Sequence, residues 1–171
     1  HREPDARPEL LDPPSDARRD QQALDRIGHG RDARSDTGPE RARRLVGLLF
    51  DEYEPFRSRK GDFNVRLLHL PSAESGVFRP DSKVFRRTPL QAQYGIFGSE
   101  RYVLTLDNRA LRELAQYAPY EFIEILVNND TYGGGGIFGQ FSTAAAGNDW
   151  ANYLFVHEFG HHFAGLADEY Y

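Results

Sequence analysis

The segment His157-Glu158-Phe159-Gly160-His161 sets two imidazoles four residues apart with a carboxylate beside the first. On a helix that spacing projects both rings from one face, about 6 Å apart along the axis at 1.5 Å per residue, so one cation can meet both. Glu158 is rotated away from that face and can reach a water on the ion without ligating it, as in His-Glu-x-x-His zinc hydrolases. Zinc brings a bound water to a pKa of roughly 7, and a carboxylate beside it can take the proton and return it to a leaving amine. The expected chemistry is hydrolysis, with His157 and His161 as metal ligands, Glu158 as general base and Zn2+ as cofactor. The bland alternative is a chance spacing on an amphipathic helix. Against it, Leu154, Phe155, Val156, Phe159 and Phe163 surround the site, and His and Glu in apolar surroundings cost free energy unless a metal or hydrogen bonds compensate. His162 points away from the two-histidine face and reads as a surface residue or a support behind the ligands.

An open position for water leaves zinc in need of a third protein ligand. The chain has no Cys, so the ligand must be His or a carboxylate, and such a set favours zinc over harder ions. Gly165 can turn the chain so that Asp168 or Glu169 returns toward the metal. In the metzincin pattern the third ligand falls six residues after the second histidine, which is Ala167 here. One residue further stands Asp168, the preferred third metal ligand. Glu169, a residue beyond Tyr171, and a plain solvated turn stay open.

The elements that must hold this segment are partly readable. Asn148 or Asp149 can cap a helix over about 150–164 that Gly165 ends. Pro39 opens a helix with Leu45, Leu48, Leu49 and Tyr53 on one face, and Pro55 closes it. Asp107 or Asn108 caps another, carrying Leu111, Leu114 and Ala115, which ends at Pro119. Strands are expected within 62–70 and 101–106, with loop and short pieces between them. The run Phe122, Ile123, Ile125, Leu126, Val127 reads as a strand covered on both faces. Four glycines at 133–136 break it, and a further extended segment over 137–144 is expected to bind substrate. Tyr132 and the glycines read either as a flexible surface loop or as a loop that admits a substrate backbone beside an edge strand. On the second reading Gly134, Gly135 and Gly136 are substrate-binding. The order of elements is an α/β or α+β layer arrangement, with helices packed on a small mixed sheet.

Length and composition set the outer bounds. One core, over 39–171, suits 171 residues. Residues 1–38 carry Pro4, Pro8, Pro13 and Pro14 among interleaved Arg and Asp, and such a stretch buries too little surface to offset the entropy of ordering it, so a disordered or atypical segment is expected. A net charge of -5 and the lack of a basic stripe argue against nucleic acid. No apolar run approaches the roughly 18 residues of a membrane span. The start at His1 and the stop at Tyr171, directly after the most informative segment, suggest a fragment.

With these residues in hand, the chain resembles the igalysin family of bacterial metallo-endopeptidases, the IgA peptidase type. The resemblance is carried by Asp62-Phe63-Asn64-Val65, Pro71-Ser72-Ala73-Glu74-Ser75-Gly76, 101–108 (RYVLTLDN), Leu126-Val127-Asn128, 132–136 and 155–171 (FVHEFGHHFAGLADEYY). It implies a zincin-like catalytic domain with one zinc, endopeptidase activity on a polypeptide substrate, and an extracellular or cell-envelope location. His157, Glu158, His161 and Asp168 inherit their roles by this match. Two rivals remain: a truncated, non-catalytic metal-binding relative, and a zinc hydrolase acting on a non-peptide amide.

Overall fold

The structure is a computed structural model that describes residues 9–11 and 38–169. Its elements in chain order are β1 (Glu9–Leu11), α1 (Gly38–Glu52), β2 (Leu67–His69), β3 (Gln93–Tyr94), β4 (Val103–Leu104), α2 (Asn108–Ala115), β5 (Glu124–Val127), β6 (Gly134–Ile137), β7 (Phe141–Ala145) and α3 (Ala151–Ala164). This is an α+β arrangement. β1 pairs antiparallel with β2, and β3 with β4. The third sheet has the order β5-β7-β6, with β7 parallel to β5 and antiparallel to β6. No helix among the described residues is long and apolar enough to cross a membrane.

The two faces of the third sheet sort its side chains by alternation, as a strand's period of two requires. On one face Ile125, Val127 and Phe141 join Tyr94, Val103, Leu104 and Leu111 in a core under β3, β4 and α2. On the other, Ala144 meets Leu45, Leu49 and Phe50 of α1 and Leu154, Phe155 and Phe159 of α3. The site helix α3 therefore lies on the sheet, with α1 beside it. Phe56 bridges the two, its ring 5.5 Å from those of both Phe159 and Phe163 and 6.4 Å from that of Phe50. These are ordinary tilted and edge-to-face spacings, each adding roughly 0.5–1.5 kcal/mol beyond burial.

Local chemistry explains the helices. Asp107 caps α2 through its Oδ1, which accepts the Ala110 N–H at 2.9 Å. α1 buries Ala42, Leu45, Leu49 and Phe50 at helical spacing, whereas Tyr53 lies just past its end and is exposed. Arg41, also buried, donates to Asn128 Oδ1 at 2.7 Å and lies 3.7 Å from Asp130, which ties α1 to the segment after β5. At the start of α3, Asn148 Oδ1 accepts the Trp150 N–H at 2.8 Å. At its end, Gly165 takes a left-handed φ of 64° and donates to the His161 carbonyl.

Several strand expectations are corrected. The four glycines do not break the sheet: Gly134–Ile137 is strand β6. The segment 137–144 is not one extended piece, because the Gln140 N–H bonds back to the Ile137 carbonyl and Gly139 adopts a φ of 67°, which folds β6 and β7 into a hairpin. The strand buried along its whole length is β7, not the 122–127 run, whose β5 alternates between half-buried and buried residues at the sheet's edge. Within 62–70 only Leu67–His69 is strand, since Lys60–Asp62 closes as a 3-10 turn and Val65 is exposed. Within the 1–38 segment Glu9–Leu11 is described as β1 and Gly38 as the start of α1. Residues 1–8 and 12–37, on which the expectation of a disordered or atypical segment falls, lie outside the described residues.

Candidate active site

Helix α3 buries Ala151, Leu154, Phe155, Glu158, Phe159 and His162, a stripe with helical spacing that faces the sheet. His157 and His161 stand at the border of that stripe, half-buried, with their Nε2 atoms 3.1 Å apart. Past Gly165 the chain turns back and brings Asp168 Oδ1 to 3.3 Å from His157 Nε2 and 3.2 Å from His161 Nε2. Of the two acidic candidates it is Asp168 that joins the histidines.

The proton on the His161 ring can be placed. His161 Nδ1 lies 2.5 Å from the Leu166 carbonyl oxygen, which only accepts, so Nδ1 carries the hydrogen and Nε2 offers a lone pair. His157 stacks on Tyr153 with ring centroids 5.0 Å apart, and its Nδ1 is 3.3 Å from the Tyr153 hydroxyl. Burial, and then the neighbouring His161, hold the His157 pKa below its ordinary 6.5 and so favour the neutral ring. The Tyr153 hydroxyl both donates and accepts, so His157 can take the same tautomer as His161, and two imidazole lone pairs and a carboxylate oxygen then converge within 3.1–3.3 Å of one another. By themselves they repel; a cation between them satisfies all three. A tetrahedral zinc with bonds of about 2.0–2.1 Å separates its ligand atoms by roughly 3.3–3.4 Å, so the donor set fits that ion. The backbone carbonyl on His161 Nδ1 is the outer contact that usually orients a metal-binding imidazole.

Glu158 is buried beside the triangle, and His157, Glu158 and His161 offer atoms that all lie within 4.8 Å of one another. Its space is made by β6. A Cβ on Gly134 would stand 2.6 Å from Glu158 Oε1, and one on Gly136 would stand 2.5 Å from the Glu158 carbonyl oxygen and 2.7 Å from His161 Cβ. The glycines let strand and helix approach more closely than any side chain allows. Gly135 faces the other way, toward Leu104. Burial pushes the Glu158 pKa up to about 7; His161 and Arg101 pull it down and Asp168 pushes it further up. A cleft of about 320 Å³ opens over these groups, with Gly134, Gly136, Ser99, Arg101, Tyr102 and Tyr132 completing its lining.

The sequence model of the family described as IgA Peptidase M64 matches residues 21–171. The chain belongs to that family. It is thus a peptidase, a hydrolase of polypeptides, from a family of metallopeptidases, and the His157-Glu158-His161 group is where a metal can sit. No curated protein matches the chain.

In this family member His162 is not a surface residue. It is fully buried, its Nε2 accepting the Ile123 N–H at 3.1 Å and its Nδ1 donating to the Ile137 carbonyl at 3.2 Å. Burial holds its pKa below the ordinary value, as suits a neutral ring that both donates and accepts. The imidazole ties α3 to the entrance of β5 and the end of β6. Its place on the 151-154-155-158-159-162 stripe was a usable signal for that burial. Arg101, Ser99 and Tyr102, also in the lining, carry no comparable signal, because a non-local backbone bond places them: the Gly134 N–H donates to the Arg101 carbonyl at 3.1 Å.

Proposed function

We propose that the protein is a zinc-dependent endopeptidase of zincin-like fold, with Glu158 as general base. The observation that carries the reading is the convergence of His157 Nε2, His161 Nε2 and Asp168 Oδ1 on one point beside a buried carboxylate. Those three residues would hold the ion. Bound there, zinc supplies Lewis acidity that brings a water toward a pKa of roughly 7 and polarises a carbonyl. Glu158, with its pKa near 7, is matched to accept a proton from water and pass it to the departing amine at neutral pH. His161 is kept in the ligating tautomer by Leu166, and Tyr153 steadies the His157 ring.

Strand β6 suits an extended polypeptide. The Ala145 N–H bonds to the Gly133 carbonyl, so in the antiparallel alternation 133, 135 and 137 turn toward β7 while Gly134 and Gly136 turn their peptide groups outward. The Gly134 N–H is taken by Arg101; Gly136 presents the stretch of edge nearest the ligands. A peptide pairing there would lay its backbone across the cleft by strand addition. The substrate strand is therefore β6, in place of the 137–144 segment, whose β7 is the central strand. An extracellular or cell-envelope location belongs to this reading and rests on the family resemblance.

Glu158→Gln tests it. The variant should keep one zinc per chain by mass spectrometry and lose peptide hydrolysis by about 10²–10⁴-fold, the usual worth of a general base. Unchanged turnover would refute the mechanism. A zinc-loaded wild type that cleaves no peptide would point instead to a non-catalytic metal-binding relative.

A further inference from the structure

We propose that Phe97 and Tyr102 form an aromatic subsite that selects polypeptides carrying a bulky apolar side chain beside the scissile bond. The inference rests on the peptidase reading and concerns the substrate class of that same cleft. Tyr102 belongs to the cleft lining, and its exposed ring stands edge-to-face with that of Phe97 at a centroid distance of 5.8 Å. The pair extends the lining outward from the end of β6 at which Tyr102 bridges Gly134. Phe97 is 82% exposed, more than any other large apolar side chain among the described residues.

A single exposed aromatic needs no explanation; the backbone beneath this one does. Phe97 lies in the 3-10 turn Ile96–Gly98 at φ 57° and ψ 23°, a left-handed conformation that costs a bulky residue free energy and glycine almost none. The positions on either side of the Ile96-Phe97 pair, Gly95 and Gly98, also take positive φ, and both are glycine. With its ring in solvent, Phe97 gains no burial to compensate for the strain. The turn is nevertheless stiff. Ile96 is anchored in the core with Val103 and Leu104, and the Gly98, Ser99 and Tyr102 N–H groups donate to the Gly95, Ile96 and Ser99 carbonyls, each at 3.2 Å. A ring held out on a rigid turn loses little further freedom when a ligand packs on it.

The edge of β6 indicates what that ligand is. A peptide beside Gly136 can pair with the outward peptide groups of that residue, but at Gly134 the N–H is already taken by the Arg101 carbonyl. On that side the peptide meets side chains in place of backbone partners, and the aromatic pair offers it apolar ring faces. A large apolar side chain gains burial there, and an aromatic one gains ring contacts as well; a small one gains neither.

The experiment uses matched peptides in which Phe, Leu or Ala occupies each position flanking the cleaved bond in turn. Rates are measured on the zinc-loaded wild type, Phe97→Gly and Tyr102→Phe. Binding of the same peptides is measured by fluorescence anisotropy on the Glu158→Gln chain with and without Phe97→Gly, and urea unfolding is followed for each variant. We expect about a tenfold preference for Phe over Ala at one position in the wild type, seen in KM and in binding. Phe97→Gly should bring that ratio close to one while its unfolding midpoint stays level or rises, because glycine relieves the left-handed strain; Tyr102→Phe, which keeps the ring, should keep the preference. Equal handling of Phe and Ala peptides by the wild type overturns the inference. So does a preference that survives Phe97→Gly, or an unfolding midpoint that falls sharply in that variant, since the ring then serves the fold. If no peptide is hydrolysed, the peptidase reading fails, and binding alone then decides on the subsite: a Phe advantage lost in Phe97→Gly sustains it, and equal affinities end it.

Discussion

Replacing Gly136 by Ala should displace helix α3 while leaving every proposed metal ligand in the sequence unchanged. The added Cβ would sit 2.5 Å from the Glu158 carbonyl oxygen and 2.7 Å from His161 Cβ. Neither atom is the tip of a flexible side chain: one is helix backbone, the other the first side-chain atom of a ligand. Restoring an ordinary contact of about 3.5 Å requires α3 to retreat from β6 by about 1 Å, and overpacking of this kind costs roughly 1–3 kcal/mol. The retreat carries both imidazoles with it, whereas Asp168, beyond the Gly165 turn, does not follow rigidly, so the donor triangle opens. A misplacement of 1 Å is enough to lower turnover by about 10²-fold, and zinc affinity should fall with it. Gly135→Ala is the control. It lies one residue away on the same strand, but its Cβ would meet Leu104 Cδ2 at 2.7 Å on the opposite face of the sheet. It should lower the unfolding midpoint by a comparable or smaller amount and leave zinc affinity alone. Chelator competition for zinc, urea unfolding and peptide turnover on both variants make the test. Wild-type zinc affinity and turnover in Gly136→Ala, or equal zinc loss in the two variants, would refute the claim that the glycines exist to bring strand and helix together.

Two further outcomes follow from the same geometry. Asp168→Ala should weaken zinc by more than about 100-fold, beyond what loss of an outer-sphere contact costs, while Glu169→Ala leaves it unchanged; chelator competition on both variants checks this, and the reverse order would make Glu169 the ligand. Glu124 governs a pH dependence of stability: burial pushes its carboxyl well above the ordinary 4.5, the Ser142 hydroxyl that donates to Oε2 pulls it back, and Glu158 pushes it up. The folded chain then holds a proton that the unfolded chain has released, so stability falls as pH rises above 4.5 and levels off above the raised folded value. Glu124→Gln should flatten that fall and gain on the wild type as pH rises, and parallel urea-unfolding profiles for the two proteins would dismiss the effect.

The helices were legible because their signals are local. Asp107 before α2, Pro39 at the start of α1 and Gly165 after α3 each act within a turn of the element they bound. The strands were less so. A run of four glycines has low strand propensity, and read alone it marks a break; here the proximity of Glu158 and His161 makes glycine the residue that fits, so tertiary contact overrides propensity. The same reasoning explains the exchange of roles between β5 and β7. An apolar run suggested a strand covered on both faces at 122–127, yet the covered strand, Phe141–Ala145, is built of small and polar residues. Its Ser142, Thr143, Ala144 and Ala145 leave room for α3 on one side and for the Tyr94 cluster on the other.

At the site, legibility tracks the sequence distance over which each relation acts. The His157 to His161 spacing is fixed by helix pitch alone. Asp168 depends on one left-handed residue at Gly165 and on the Leu166 carbonyl reaching back to His161. A spacing rule borrowed from metzincins points one residue short of it, because the glycine itself stands one residue later here. Glu158's tuning needs β6, more than twenty residues upstream, to supply both the cover that raises its pKa and the missing side chain that leaves it room. Arg101 lies further still, placed by a hydrogen bond from a strand that the sequence reads as a gap. The two proposed histidine ligands are thus the part of the site that a helix can specify by itself; the surroundings of Glu158 and the rest of the cleft lining are specified by which backbones are allowed to touch.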